Sequence, residues 1–203
     1  MTADVPILPA AADEADSLTD LVAEAFAGLT VTAWLVPEPD QRLPVLRGAF
    51  RILVDHALEH GHVDVLADRT GVAVWLHRDR PIPEPQNYEQ RLAAACGPHT
   101  DRFNVLDLLF ERHHPSAPHH HLVFLAVAPA WQCTGRGTAL LRHHHAHLDR
   151  ICMPAYLEAS TTGSRDLYTR HCYETQRRFT LPDGTPFWSM WRPPRRMAHE
   201  PGS

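Results

Sequence analysis

Apolar positions change period several times along the chain, and each change marks an element. Residues 5–9 form a short apolar run that reads as a strand. From 11 to 26, Leu18, Leu21, Val22, Ala25 and Phe26 recur at helical spacing. A second helical stripe runs from about 41 to 59 through Leu46, Phe50, Leu53, Val54 and Leu58, with Gly61 beyond it as a stop signal. Residues 63–68 and 71–76 are β-rich and joined by Arg69 and Thr70, which predicts a hairpin. The proline-broken stretch 78–85 is a connector, followed by predicted helices over about 86–95 and 102–112.

The plainest strand is 120–127. It leads through a proline and two glycines into a predicted helix over 135–150, then a strand over 155–158 and a helix over 164–171. Two last strands, 174–180 and 187–191, are joined across Pro182, Asp183 and Gly184, a turn sequence that predicts an antiparallel hairpin. The pattern is a mixed α/β domain over 1–194, with 195–203 as a tail.

Composition narrows the class. Apolar residues make up 44% and charged residues 21% of the 203, as in soluble globular proteins, and no apolar run reaches membrane-spanning length. The first residues lack the basic flank and apolar core of a signal peptide, so a cytoplasmic protein with no membrane partner is expected. Net charge is −5, and no basic patch is interleaved with aromatics, so no nucleic-acid partner is expected. Cys96, Cys133, Cys152 and Cys172 are too widely spaced for a disulfide framework or a structural zinc site. Histidine is over-represented at sixteen. His143 and His147 share a helix face, a possible ligand pair, but no His-Glu-x-x-His pattern accompanies them. A solvated histidine-rich face and no metal is the expectation.

The segment from Val127 to Thr138 holds the sharpest chemistry. Glycines at a strand-to-helix turn let a ligand approach the backbone, and the helix start offers free amides and a positive dipole end to a phosphate. A dinucleotide fingerprint lacks its third glycine, with Leu140 in that place, but Glu158 about twenty residues on keeps that reading open beside an ordinary tight turn; a Walker loop fails because the chain has no lysine.

The spacing of Val127, Pro129, Gln132, Gly135 and Gly137 resembles the acetyl-CoA-binding motif of the GNAT N-acetyltransferase superfamily. The resemblance continues through residues 154–173, with Tyr168 where that family has its general acid and Tyr173 at its conserved aromatic. Within the superfamily, puromycin N-acetyltransferase and its relatives look most similar. The likeness implies a mostly antiparallel twisted sheet of about seven strands, with a splayed parallel pair in the middle and helices on its flanks.

It further implies that acetyl-CoA, as cosubstrate, lies along Leu125, Ala126 and Val127. Its pyrophosphate would sit over Gln132, Cys133, Thr134, Gly135, Arg136, Gly137 and Thr138, with Ser164 in place of the family asparagine. Tyr168 is the implied acid and the Val127 amide the implied oxyanion donor. Glu158 serves either as the base or as a structural acid, and one of His119, His120 and His121 could act beside it. Cys172 replaces a family glycine, so a left-handed backbone there would be strained. The implied acceptor is a primary amine of a small molecule, with an aminonucleoside or other amine antibiotic foremost, bound by a monomer or homodimer. A cleft built from about 26–50 and 78–118 would receive it, with Trp34, Trp75, Tyr88 and Phe110 as candidate walls. A protein or peptide amine, or a non-catalytic acyl-CoA-binding role, are the alternatives.

Overall fold

The computed structural model describes residues 5–195. The expected tail lies outside the described residues, apart from Arg195. Seven strands form one sheet: β1 (Ile7–Pro9), β2 (Gly61–Leu66), β3 (Gly71–Arg78), β4 (His119–Val127), β5 (Ala155–Ala159), β6 (Glu174–Thr180) and β7 (Pro186–Arg192). Their spatial order is β1-β2-β3-β4-β5-β7-β6, and β4 and β5 are the parallel neighbours. The mixed sheet with a parallel pair near its middle is the architecture expected from the sequence.

Seven helices cover its two faces: α1 (Ala15–Phe26), α2 (Thr30–Leu35), α3 (Pro39–His60), α4 (Tyr88–Cys96), α5 (Thr100–His113), α6 (Arg136–Arg150) and α7 (Thr162–Arg170). On one face, α1 and α3 pack on Val72, Val74, Phe124 and Ala126. Phe26, Phe50 and Phe124 form a ring cluster there, with centroids 4.7 to 5.8 Å apart. Each such pair adds about 0.5–1.5 kcal/mol beyond its buried area. On the other face, Leu140, Leu141 and Leu148 of α6 pack against Ala73, Trp75, Leu122 and Leu157.

Two elements differ from the periodicity. The six-residue α2 is too short to show a helical stripe; Thr32 holds it by donating its hydroxyl to the carbonyls of Phe26 and Leu29 at 2.7 and 2.8 Å. Gly61 ends α3 as expected and is in addition the first residue of β2, where a Cβ would lie 1.9 Å from the Trp75 carbonyl oxygen. The close approach of the neighbouring β3 backbone therefore requires glycine at this point.

Both outer edges of the sheet are protected. β1 has three residues and ends in Pro9, while β6 carries Arg177 and Arg178 and slips register between Thr175 and Arg177.

The histidine-rich stretch of α6 is only half solvated. His143 and His147 face outward, whereas His144 and His145 are buried. Burial pushes the His145 imidazole down to about 3 and that of His119 to about 4, from an ordinary value of 6.5. The folded protein thus holds both neutral, and the unfolded chain takes up protons first as pH falls. Their contribution is complete above pH 6.5 and drains away below it, costing on the order of 1–2 kcal/mol each by pH 5. Calorimetric melting temperature should be flat above pH 7 and fall between pH 6.5 and 5, above the carboxylate range. A flat profile across that window contradicts this account.

Candidate active site

The candidate site starts from a defect in β4. Val74 pairs with Phe124 and Trp75 with Leu122, so Val123 has no partner on β3. This bulge reverses the strand's alternation. Before it, His120 turns toward α6 and His121 toward the opposite face. After it, Phe124 and Ala126 join the α1 and α3 face, while Leu125 packs with the α6 side.

The bulge also changes what β4 offers β5. Parallel pairing is confined to His120 with Ala155 and His121 with Tyr156; beyond that point the strands separate. Ala128 donates its amide back to Thr70 at 2.9 Å. Alternation of the ladder therefore turns the Val127 amide the other way, into the gap. The Val127 carbonyl accepts the Gln132 side-chain amide at 3.2 Å. A cavity of about 180 Å³ fills the gap, reaching from Leu125, Val127 and Gln132 to Glu158, Ser164 and Tyr168.

At the mouth of the gap lies the glycine turn. Cys133 and Gly135 both have left-handed backbones, with φ of 60° and 91°. The first hydrogen bond of α6 is Ala139 to the Gly135 carbonyl at 3.0 Å. Among the described residues, the amides of Cys133 through Thr138 have no hydrogen-bond acceptor. Six free donors at the positive end of a fifteen-residue helix suit an anion such as a pyrophosphate. A Cβ at Gly137 would meet Leu125 and Val127 at an ordinary 3.6 and 3.9 Å. The fold has room for a side chain there. Arg136 offers its amide but not its side chain. The guanidinium donates to Thr70 at 2.6 Å and Asp68 at 2.9 Å and lies over Trp131, which clamps the turn to the β2–β3 hairpin.

Deeper in the gap, Glu158 of β5 faces His121 of β4. The Glu158 Oε2 is 2.8 Å from His121 Nε2, and both side chains are nearly buried. Glu158 Oε1 and His121 Nδ1 are buried with no protein partner, so the pair has unused capacity for a substrate or water. Sequence reasoning named Glu158 and three histidines; the geometry selects His121, on the register that brings residues 121 and 158 together.

Tyr168 lines the same cavity from α7. Burial raises its phenol well above the ordinary value, so it keeps its proton at neutral pH. Ser164 also lines the cavity, but its hydroxyl serves the cap of α7, exchanging hydrogen bonds with Thr161 at 2.9 to 3.2 Å. The end of α7 keeps the left-handed geometry despite the cysteine. Cys172 has φ of 67°, with its amide on the Thr169 carbonyl and that of Tyr173 on the Tyr168 carbonyl, at 3.0 and 3.1 Å.

Of the four aromatic walls considered, Trp75 is fully buried and stacks on His144. Phe110 packs on Phe179 and Phe187. Tyr88 lines a separate cavity of about 620 Å³ and donates to Asp107 at 2.7 Å. Trp34 is half-buried under Arg102.

The strain at Cys172 yields a simple test. Replacing it with glycine removes the left-handed penalty at some cost in unfolded-state entropy. Cys172→Gly should therefore gain about 0.5–1 kcal/mol in urea unfolding. A loss of stability would show that the thiol makes a contact worth more than the strain.

No family model matches the chain. Solved structures do. One described as histone acetyltransferase HPA2 and related acetyltransferase, from Corynebacterium glutamicum, is 28% identical, with a TM-score of 0.73 over 97% of this chain and all of that one. Arylalkylamine N-acetyltransferase 2 from Aedes aegypti superposes with a TM-score of 0.61 at 12% identity, covering 95% of this chain and 100% of that one. An acetyltransferase assigned to the GNAT family, from Desulfovibrio desulfuricans, gives 0.54 at 17% identity, over 93% of this chain and 98% of that one. The chain has the fold of the GNAT acetyltransferases.

Proposed function

We propose that the protein is an acetyl-CoA-dependent N-acetyltransferase acting on a primary amine of a small molecule. The observation that carries this reading is the gap between β4 and β5, where the free amides of the glycine turn lead to Tyr168 and to the Glu158–His121 pair. The amides of Cys133 to Thr138 would bind the pyrophosphate, and the exposed edge from Leu125 to Val127 would pair with the amide-bearing pantetheine arm.

In the reaction, the neutral amine nitrogen attacks the thioester carbonyl in a ternary complex. The Val127 amide, turned into the gap, stabilises the developing oxyanion. Glu158, with His121 beside it, accepts the amine proton directly or through water. The carbon–sulfur bond then breaks, and the thiolate takes the proton of Tyr168. The products are the acetamide and free coenzyme A.

An aminonucleoside or another amine antibiotic is the acceptor we favour, on the motif resemblance. Protein amines form a second reading, favoured by the description of the similar Corynebacterium structure as a histone acetyltransferase. Thiol release from acetyl-CoA, measured against aminonucleosides, arylalkylamines, polyamines, aminoglycosides and a lysine peptide, separates them. Release with a small amine supports the proposal, and release with the peptide alone supports the second reading. No release despite coenzyme binding would make the protein a binding module.

Two variants test the assigned roles. Tyr168→Phe should lower kcat by about 10²–10⁴-fold while leaving coenzyme affinity unchanged. An unchanged kcat would remove the tyrosine from the chemistry. Gly137→Glu puts a carboxylate in the first turn of α6, where it favours the helix but opposes a phosphate. Melting temperature should hold, while coenzyme affinity measured by calorimetry falls by about tenfold or more. Undiminished affinity would place the pyrophosphate elsewhere.

A further inference from the structure

On the α6 face of the sheet, away from the gap, a buried carboxylate stands among histidines. Asp64, near the centre of β2, is 1% exposed. His62, two residues earlier on the same face of the strand, brings Nε2 to 2.9 Å from Asp64 Oδ1. His144 of α6, 3% exposed, brings Nδ1 to 3.3 Å from Oδ2. That second approach lacks hydrogen-bond geometry, so Oδ2 is a buried carboxylate oxygen with no donor. Such an atom is rare and costly unless something satisfies it.

Three observations favour a metal ion as that partner. The first is spacing. Donor atoms of His62, Asp64 and His144 all lie within 4.8 Å of one another. A tetrahedral ion with bonds of roughly 2.0–2.2 Å holds neighbouring ligand atoms roughly 3.3–3.6 Å apart, a separation that falls within this 4.8 Å spread. The second is orientation. His144 Nε2 is 3.0 Å from His120 Nδ1. With its proton on Nε2 and donated to His120, His144 keeps a lone pair on Nδ1 facing Asp64, the arrangement by which an outer-shell partner orients a histidine ligand. The third is access. A cavity of about 270 Å³, lined by His62, His77, His143, His144, His147 and Arg150, opens onto the cluster, enough for an ion and coordinated water.

We propose that His62, Asp64 and His144 bind a divalent transition-metal ion, zinc by ligand type, with water in the fourth position. The ion would pin β2 to α6, the helix whose first turn forms the candidate coenzyme site. Of the pair suggested by helical spacing, both exposed, His143 brings Nε2 to 3.6 Å from Asp64 Oδ1 at the edge of the cluster, and His147 lines the cavity.

The test uses the full chain without a histidine tag, stripped with EDTA and desalted. Cobalt(II) is followed by its visible d–d absorption, and zinc by calorimetry and melting temperature. The expected result is one equivalent of saturable cobalt, displaced by zinc, with a higher melting temperature in zinc. His62→Ala, at a half-exposed position, should fold and lose at least tenfold in affinity; Asp64→Asn should behave alike where it folds, and His62→Ala decides where it does not. His147→Ala should keep the single site. Absence of saturable binding overturns the proposal. So does binding that survives in His62→Ala or vanishes in His147→Ala, which would assign the ion to the helix surface.

Discussion

One unpaired residue, Val123, sets the geometry of the site. A strand in register on both sides would bury every β4 amide in ladders and leave no room between β4 and β5. The bulge shifts the second half of β4 by one residue, and three consequences follow together. Pairing with β5 stops after His121 and Tyr156, the Val127 amide turns into the opening, and Phe124 moves into the ring cluster with Phe26 and Phe50. That cluster anchors the displaced half-strand, so the hydrophobic core on one face of the sheet keeps the gap open.

The glycine turn at the mouth of that gap is stiff in a particular way. Its amides are free, but its frame is not. Gln132 holds the end of β4, and Arg136 ties the first turn of α6 to Asp68 and Thr70. Donors fixed before a ligand arrives lose little conformational freedom on binding. The cost falls on the fold, which accommodates left-handed backbone at Cys133 as well as at Gly135.

How much of this could be read from the residues depends on whether the information is local. The strands, the long helices and the glycine turn announce themselves through apolar period and turn chemistry. That Tyr168 faces the same cavity as Gln132 and Val127 could be expected only from the motif that residues 154–173 resemble, not from its own helical spacing. The bulge was not legible, because nothing in residues 122–124 marks it; it exists only relative to the register of β3. The Glu158–His121 pair was half legible: strand parity separates His120 from His121, but only the β4–β5 register says which one meets Glu158. Trp75 and His144 show the opposite failure. Residue type suggested a substrate wall and a solvated face, while tertiary packing stacks the two rings in the interior. Short α2 rests on side-chain hydrogen bonds from Thr32 that no apolar period shows, and the need for glycine at 61 on the approach of Trp75 from the neighbouring strand.

The sheet's borders give its middle a particular value. A strand edge is an adhesive surface, and both outer ones are blunted: β1 by brevity and Pro9, β6 by arginines and a slipped register. Recruitment of a foreign strand at the rim is thereby discouraged. The unpaired stretch of backbone lies inside instead, between β4 and β5, on the wall of a cavity of about 180 Å³. The sheet thus keeps its open hydrogen-bonding groups away from the rim, where another strand could join it, and holds them where two of its own strands part.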